Sequence, residues 1–268
     1  MNLDFISAGV LGLVQGLTEF LPVSSSGHLF LAQKVFGWEN GLSLSFDAIL
    51  HLATLLAVLV FFYKDIWQLL LTAWNLLRRK IVLAEAKTLF WAIILGSIPA
   101  GIFGLLLESK METIFRNIYL VAGMLVLGSV LFYIAEKLAK NNQTLSVKNG
   151  FWIGCFQVLA LIPGMSRSGS TFSGGLLLGL SREMSIRYSF LLSIPVIAGA
   201  GLKKLWDLHK IGIGAGEWWP IVFGFVVASI SGYLAISFLL KYLQTNSLNI
   251  FIWYRVALAI LVVVYFSF

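Results

Sequence analysis

Charged residues are scarce in this sequence, and their scarcity excludes most classes of soluble protein. Only 12% of the 268 residues are Asp, Glu, Lys or Arg, while 59% are hydrophobic. A typical soluble domain contains about 25% charged residues. The single cysteine, Cys155, cannot form a disulfide within the chain, which excludes a disulfide scaffold. The composition therefore predicts an integral membrane protein, in which the many aromatic residues suit the bilayer interfaces.

The formal net charge of +7 does not indicate nucleic-acid binding. The basic residues stand in short runs between long apolar stretches and do not form one continuous basic segment. This arrangement is typical of the cytoplasmic loops of membrane proteins and of contacts with anionic lipid. We therefore expect membrane lipid as a partner and no nucleic acid.

Six apolar segments are long enough to cross a bilayer, which requires about 20 mostly apolar residues. They lie at roughly 46–63, 88–107, 117–136, 186–202, 217–240 and 250–268. Four further apolar stretches are too short or too broken to span, namely 5–21, 29–37, 151–162 and 172–180. Segment 65–80 carries Trp67 and Trp74 beside a basic end, which predicts an amphipathic helix in the interface. We expect an all-α polytopic membrane protein with one membrane domain over residues 1–268.

The two broken regions resemble each other at a constant offset of 142 residues. Gly12-Leu-Val-Gln15 corresponds to Gly154-Cys-Phe-Gln157. Ser24-Ser-Ser-Gly27 corresponds to Ser166-Arg-Ser-Gly169, and a proline precedes each of these two runs. Chance similarity in a chain rich in serine, glycine and leucine is the alternative explanation. The preferred interpretation is an internal duplication.

A duplication would give two halves, about 1–140 and 145–268, each with one helix–loop–helix region followed by three spans. Because three is odd, the second half would enter the membrane from the opposite side, as in an inverted-topology repeat. Both broken regions are then expected to be re-entrant, with their tips meeting near the midplane. Non-helical backbone at that depth is tolerated where it is buried in protein or lines a wet cavity.

The distribution of basic residues predicts the orientation. Loops 64–87, 137–148 and 181–187, together with Lys241, hold eleven basic residues, and the opposite side holds six. The positive-inside rule places the richer side in the cytoplasm. Both termini and the mouth of the first broken region are then expected to lie outside.

The first broken region contains a dense cluster of polar side chains. Gln15 and Glu19 are four residues apart and share one helix face. The Glu19 carboxylate is of a type that holds a divalent cation or acts as a base. The cluster continues through Pro22, which stops the helix, and then through Ser24, Ser25, Ser26, Gly27 and His28. A polar helix break with a structural His–Glu pair is the alternative interpretation.

The second broken region combines Arg167 with the hydroxyl groups of Ser166, Ser168 and Thr171 at the start of a helix. A helix N-terminus with free N–H groups, hydroxyl donors and an arginine is typical of an anion site. A structural pair between Arg167 and Glu19 is the alternative. We expect Ser170 or Thr171 to cap this helix. Together the two clusters favour phosphoryl transfer, with a divalent cation at Glu19 bridging carboxylate and phosphate oxygens.

Three other ionisable residues fall in apolar sequence. Asp47 and His51 are four residues apart, so we expect a structural pair on one helix face. Arg255 is near a span end, and we expect its side chain to reach the interface. A transporter or lipid flippase remains the alternative to an enzyme, because inverted repeats with broken helices are also a transporter architecture.

At these residues the chain resembles the undecaprenyl-diphosphate phosphatase family, the bacitracin-resistance membrane phosphatases. The family motifs correspond to Gln15–Glu19, Pro22–His28 and Pro163–Thr171, and the similarity covers the whole chain. Position 15 departs from the pattern, because the family more commonly has glutamate where this chain has glutamine. Glu19 is therefore expected to carry more of any metal-binding role.

The resemblance implies a multi-pass enzyme of the bacterial inner membrane that hydrolyses undecaprenyl diphosphate and opens to the periplasmic side. It implies Mg²⁺ or Ca²⁺ as cofactor and the polyprenyl diphosphate as substrate. The sequence leaves the oligomeric state open, with a homodimer as one arrangement. Expected catalytic residues are Glu19, Ser25, His28 and Arg167. Expected substrate-binding residues are Gln15, Ser24, Ser26, Ser166, Arg167, Ser168 and Thr171. The attacking group stays open between Ser25, His28 and a water activated by Glu19.

Overall fold

A computed structural model describes residues 4–38, 43–112, 117–211 and 218–268. The regular secondary structure of these residues is helical apart from an isolated bridge between Gln143 and Leu180. The helices are α1 Phe5–Phe20, α2 Ser25–Phe36, α3 Ser43–Phe61, α4 Tyr63–Leu77, α5 Ala84–Glu112, α6 Ile118–Leu138, α7 Val147–Leu159, α8 Arg167–Leu177, α9 Arg182–Ile211, α10 Trp218–Thr245 and α11 Asn249–Ser267. The predicted all-α fold class is confirmed.

Five helical segments are long and apolar enough to cross a membrane: Ala84–Leu107, Ile118–Leu138, Arg182–Lys203, Trp218–Thr245 and Asn249–Ser267. Each overlaps a predicted span. The remaining predicted span, 46–63, is the first arm of a pair, Phe46–Phe61 and Tyr63–Leu77, that bends by 84° at its break. The chain is therefore a polytopic membrane protein with five such helices in its described part, or six with this arm.

The bend after α3 gives α4 the character of an interfacial helix. Trp67, Trp74 and Leu77 expose more than half of their surface on α4. The guanidinium of Arg78 lies 4.3 Å from the centre of the Trp74 ring, at the start of the basic run that follows. If α3 spans the bilayer, a helix bent by this angle lies along its surface, as we predict for segment 65–80.

The two helix breaks have the same local geometry. Ser24 is the N-cap of α2 with φ 77°, and Ser166 is the N-cap of α8 with φ 73°. Each serine Oγ accepts a hydrogen bond from the backbone N–H three residues later, at 3.4 Å from Gly27 and 3.3 Å from Gly169. A side-chain oxygen at the N-cap satisfies an otherwise unpaired N–H. The expected cap at Ser170 or Thr171 is wrong, because Ser166 precedes the first turn and takes that role.

The first helix of each broken pair packs closely against a span through glycine. α1 meets α10 where Gly12 lies against the carbonyl of Gly224, and α7 meets α5 where Gly154 lies against the carbonyl of Gly96. A Cβ atom at Gly12 or Gly154 would overlap these carbonyl groups. The matched caps and glycine contacts support the duplication, whose inverted orientation in the bilayer stays a prediction.

A fully buried arginine joins the two turns, contrary to the expectation that Arg255 reaches the interface. Arg255 has no exposed surface. Its guanidinium donates to the carbonyls of Pro22 at 3.3 Å, Gly164 at 2.9 Å and Leu125 at 3.1 Å, and to Ser129 Oγ at 3.2 Å. These carbonyls belong to both turns and to α6. Carbonyl groups freed by the broken backbone therefore solvate the cation within the protein.

Candidate active site

The two helix breaks meet in the interior of the molecule, as the sequence predicts. The backbone N–H of Gly164 donates to Ser24 Oγ at 3.0 Å, and Ser168 Oγ donates to the carbonyl of Leu21 at 3.3 Å. Ser24 thus accepts bonds from its own helix and from the other turn. These contacts bring residues about 140 positions apart into one site.

Glu19 stands at the centre of this site. Its Oε1 accepts from Arg167 Nη2 at 3.0 Å. Its Oε2 accepts from Ser25 Oγ at 2.6 Å and from Gln15 Nε2 at 3.0 Å. The carboxylate side chain is only 4% exposed, so these donors replace water around it. The Ser25 hydroxyl is therefore in contact with a base, and Arg167 contacts the other oxygen of the same carboxylate.

The hydroxyl of Ser25 therefore points to Glu19 and does not bond to His28. His28 Nδ1 lies 2.8 Å from the carbonyl oxygen of Ser24, and its Nε2 lies 2.7 Å from the hydroxyl of Tyr254. A carbonyl oxygen only accepts, so Nδ1 carries the ring proton and Nε2 accepts from the phenol. In this geometry Glu19 is the group placed to take a proton from Ser25.

His51 also belongs to this site, although the sequence pattern predicts for it only a structural pair with Asp47. Its Nδ1 lies 2.9 Å from Gln15 Nε2 and 3.3 Å from Glu19 Oε2. The ring thus faces Gln15 and Glu19 through Nδ1, while Asp47 accepts from Gln33 Nε2 at 2.8 Å. The expected pair between Asp47 and His51 stays a prediction. The available signal was an imidazole in a predicted span, since ionisable residues there are functional candidates.

The hydroxyl groups of the second turn are mostly bonded within the protein. Ser166 and Ser168 are buried, with their Oγ atoms 3.3 Å apart. Thr171 is fully buried, donates to the carbonyl of Arg167 at 2.8 Å and contacts Ser189 Oγ. Thr171 and Ser189 therefore position the first turn of α8, which carries Arg167.

In the first turn the three serines differ in accessibility. Ser24 is 2% exposed, and its hydroxyl lies 3.5 Å from that of Ser26. Ser25 and Ser26 are only partly buried. Arg167 leaves its Nε without a hydrogen-bond partner, although that atom is buried. The groups that remain available to an anion are thus Arg167 and the partly exposed serines.

The residues around Glu19 fit a divalent cation with oxygen ligands. Gln15 is fully buried, and its Oε1 has no hydrogen-bond partner. An orphaned amide oxygen beside a carboxylate is a donor set that Mg²⁺ and Ca²⁺ accept. The described residues contain no group of three His, Cys, Asp or Glu side chains that could hold a metal. A cation here would therefore need phosphate or water oxygens to complete its ligands.

Comparison with known proteins identifies a matching family and several relatives. The chain matches the family described as bacitracin resistance protein BacA over residues 8–261. It is 41% identical over 271 residues to undecaprenyl-diphosphatase 2 of Streptomyces avermitilis, covering 95% of this chain and 92% of that protein.

Two further relatives are similar over nearly their whole length. The chain is 43% identical over 266 residues to an undecaprenyl-diphosphatase of Moorella thermoacetica, covering 97% of each protein. It is 44% identical over 255 residues to an undecaprenyl-diphosphatase of Geobacter metallireducens, covering 93% of this chain and 94% of that protein. The family match, over residues 8–261, includes both helix breaks, and the chain belongs to the bacitracin resistance protein BacA family.

Proposed function

We propose that this protein hydrolyses undecaprenyl diphosphate to undecaprenyl phosphate and phosphate. The reaction recycles the lipid carrier for peptidoglycan synthesis and gives resistance to bacitracin. The observation that carries the proposal is the Glu19 carboxylate, bonded to both Ser25 and Arg167. The names of the relatives in the same family support the substrate.

The geometry favours Ser25 as the attacking group. Arg167 binds the non-bridging oxygens of the terminal phosphate, for which a guanidinium fork is suited. Ser25 Oγ attacks the terminal phosphorus and its proton passes to Glu19 Oε2, which lies 2.6 Å away. The Oγ–phosphorus bond forms as the bond to the bridging oxygen breaks, and undecaprenyl phosphate leaves with that oxygen.

Hydrolysis of the phosphoserine completes the reaction. Glu19, having passed its proton to the departing phosphate or to water, accepts a proton from an attacking water. The water oxygen bonds to phosphorus, the bond to Ser25 Oγ breaks, Glu19 returns the proton to Ser25 Oγ, and inorganic phosphate is released. Attack by His28, or by water directly, is the competing route. A Ser25→Ala variant that keeps its rate would favour that route.

We further propose that Gln15 Oε1 and Glu19 hold Mg²⁺ or Ca²⁺ together with phosphate oxygens. When bound, the cation neutralises charge on the diphosphate. Gln15 supplies no negative charge, so Glu19 is the anionic ligand of the site, and affinity for the cation should depend on the diphosphate being present.

The proposed location is the bacterial inner membrane, with the site opening to the periplasm. On the predicted cytoplasmic side, Arg182 pairs with Glu136 at 2.7 Å and donates to the carbonyl of Asn246 at 2.8 Å. Glu136 also accepts from the backbone N–H of Leu248 at 2.7 Å. These contacts tie α6, α9 and the start of α11 together on that side, which favours opening opposite to it. A homodimer stays a prediction.

Phosphate release by the purified protein in detergent tests the proposal, since vectorial transport has no meaning there. We expect release from undecaprenyl diphosphate, its loss on adding EDTA, and recovery with excess Mg²⁺ or Ca²⁺. Glu19→Gln should abolish release without lowering the melting temperature enough to unfold the protein. No release at any divalent concentration would reject the enzyme and favour a lipid flippase of the same architecture.

A further inference from the structure

We propose that α4 and the basic turn after it form a binding site for the headgroups of anionic phospholipids. The turn comprises Arg78, Arg79 and Lys80, which follow directly on the last residue of the helix. The ligand is a bulk lipid of the leaflet that faces α4, such as phosphatidylglycerol, and is distinct from the substrate of the proposed reaction. The site therefore stands independently of that function.

One side of α4 is attached to the rest of the protein. Thr72 is buried, and Asp65 accepts a hydrogen bond from Arg187 Nε on α9 at 3.1 Å. Leu69 packs against the largest buried core of the described residues. Residues 65, 69 and 72 are four and three positions apart, so they share one side of the helix. The opposite side of α4 consequently points away from the protein.

The outward side of α4 is a continuous apolar stripe. Its side chains are exposed by 44% at Leu71 and by up to 80% at Leu77. With α3 as a span, the bend of 84° between α3 and α4 lays this stripe along the bilayer surface, where it contacts acyl chains. The stripe follows the spacing of one helix face and consists of Trp67, Leu70, Leu71, Trp74 and Leu77.

The end of α4 folds the basic residues back onto its last turn. The backbone N–H of Lys80 donates to the carbonyl of Asn75 at 2.9 Å, and that of Arg79 donates to Leu76 at 3.0 Å. These two bonds form a Schellman motif, in which the position of Arg79 is left-handed and is most often glycine. Arg79 indeed has φ 54°. The chain thus has a cation where glycine would be less strained.

The cations of this turn are exposed and lie beside the apolar stripe. The guanidinium of Arg78 is 4.3 Å from the centre of the Trp74 ring, and all three side chains of Arg78–Lys80 are exposed, as is Lys64. Residues 66–84 contain no Asp or Glu. In the part of the chain that the structure describes, none of these four cations pairs with a carboxylate. Such a basic cluster on an amphipathic helix is typical of anionic-lipid recognition.

A purely structural role is the competing explanation, because cations near a helix C-terminus also interact favourably with the helix dipole. A dipole contact stabilises the protein by the same amount whatever the lipid is. A headgroup site, by contrast, responds to the charge of the lipid. Comparing anionic with zwitterionic lipid therefore separates the two explanations.

Native mass spectrometry of the detergent-solubilised full chain measures lipid affinity. The wild type should bind phosphatidylglycerol more tightly than phosphatidylcholine. The double variant Arg78→Gln/Lys80→Gln keeps Arg79 in its turn and should bind phosphatidylglycerol roughly 25-fold more weakly, about fivefold for each cation. The matched control Lys140→Gln/Lys148→Gln removes the same charge from exposed positions and should bind as the wild type does. Equal affinity of the wild type for both lipids would overturn the proposal.

Melting temperature provides a second readout, since a ligand that binds only the folded protein stabilises it. Phosphatidylglycerol should raise the melting temperature of the wild type and of the control more than that of Arg78→Gln/Lys80→Gln. Inorganic phosphate lacks acyl chains for the stripe and should give no comparable shift. An equal shift with phosphate would reject lipid as the ligand. A double variant that loses the same stability with and without phosphatidylglycerol would assign the cations to the helix dipole.

Fluorescence quenching locates the bound lipid. Brominated acyl chains quench the tryptophans that they contact, so brominated phosphatidylglycerol should quench the wild type more than Trp74→Phe. The difference should shrink in the Arg78→Gln/Lys80→Gln background, and it should be smaller with brominated phosphatidylcholine. Quenching by brominated phosphatidylglycerol that is the same with and without Trp74 would place the lipid elsewhere and reject the site on α4.

Discussion

Glu19 connects the proposed nucleophile with the proposed phosphate-binding residue. It bonds to Arg167 through one oxygen and to Ser25 through the other, and it lies in a nearly dry environment. Groups held in advance at such a site need little reorganisation during phosphoryl transfer. This is why conservative changes at Arg167 and Ser25 should affect turnover more than folding.

Arg167→Lys should lower kcat/KM by roughly 10²- to 10³-fold, the effect of removing one preorganised donor from a transition-state site. Lysine retains the charge but loses the planar fork, which contacts Glu19 and which we propose to bind phosphate. The measurement is phosphate release, with melting temperature as a check on folding. Arg79→Lys, the same change at an exposed position, is the control. A folded Arg167→Lys variant with near-normal turnover would assign Arg167 a structural role only.

Arg255→Met should destabilise the protein by at least roughly 3 kcal/mol, because several buried carbonyl groups lose their donor. The affected carbonyls include those of Pro22, Gly164 and Leu125. Thermal unfolding in detergent should show the loss, with Lys140→Met as a control on an exposed lysine. Unchanged stability would mean that the two turns hold their positions without the arginine.

At the level of single residues, the sequence predicted Glu19, Ser25 and Arg167 as neighbours because each stands in a distinctive polar run. It did not predict His51 as part of the site, because the only signal was a single imidazole in a predicted span. The ring reaches Glu19 only because α3 packs against the first broken pair. Likewise, proximity to a helix end suggested that Arg255 would reach the interface, whereas the free carbonyls that solvate it exist only where the two turns meet.

At the level of elements, the short helices depend on their caps and on glycine contacts. α2 and α8 begin at serines with positive φ, a conformation that costs a non-glycine residue roughly 1 kcal/mol. Ser24 Oγ offsets this strain by accepting from Gly27 and from Gly164. The strained backbone of Ser24 thus occurs at the position where its side chain connects the first turn to the second.

Gly154→Ala should cost about 1–3 kcal/mol, as overpacking of a close helix contact does. The new methyl group would overlap the carbonyl of Gly96 and push α7 from α5. Gly12→Ala should act in the same way on α1 and α10. Melting temperature measures the effect. Gly101→Ala on α5 has open space around it and should leave stability nearly unchanged, which makes it a matched control.

At the level of the whole molecule, a shared geometry at an offset of 142 residues relates the two halves, but their chemistry has diverged. Ser25 corresponds to Arg167, and Glu19 corresponds to Leu161. One half therefore supplies the carboxylate and the hydroxyl, and the other supplies the guanidinium that we propose to bind phosphate. Neither half contains a complete site.

Cysteine accessibility should find both termini outside the cell and the loop after α4 inside. In a Cys155→Ala background, a membrane-impermeant maleimide should label Phe268→Cys on intact cells and label Arg79→Cys only after permeabilisation. The physical basis is the excess of basic residues, eleven against six, on the side of Arg79. Labelling of Arg79→Cys on intact cells would reverse the orientation.

The sequence by itself determined the membrane class, the spans and the two polar clusters, because hydropathy and helix breaks are local properties of the chain. The internal repeat in the sequence also predicted that the two clusters meet. Only the tertiary structure decided the hydrogen-bond partners: Ser25 on Glu19, His28 on Tyr254, and His51 on Gln15. These contacts join residues on different helices, and their direction depends on how the helices are rotated against each other. No local pattern in the sequence encodes that rotation.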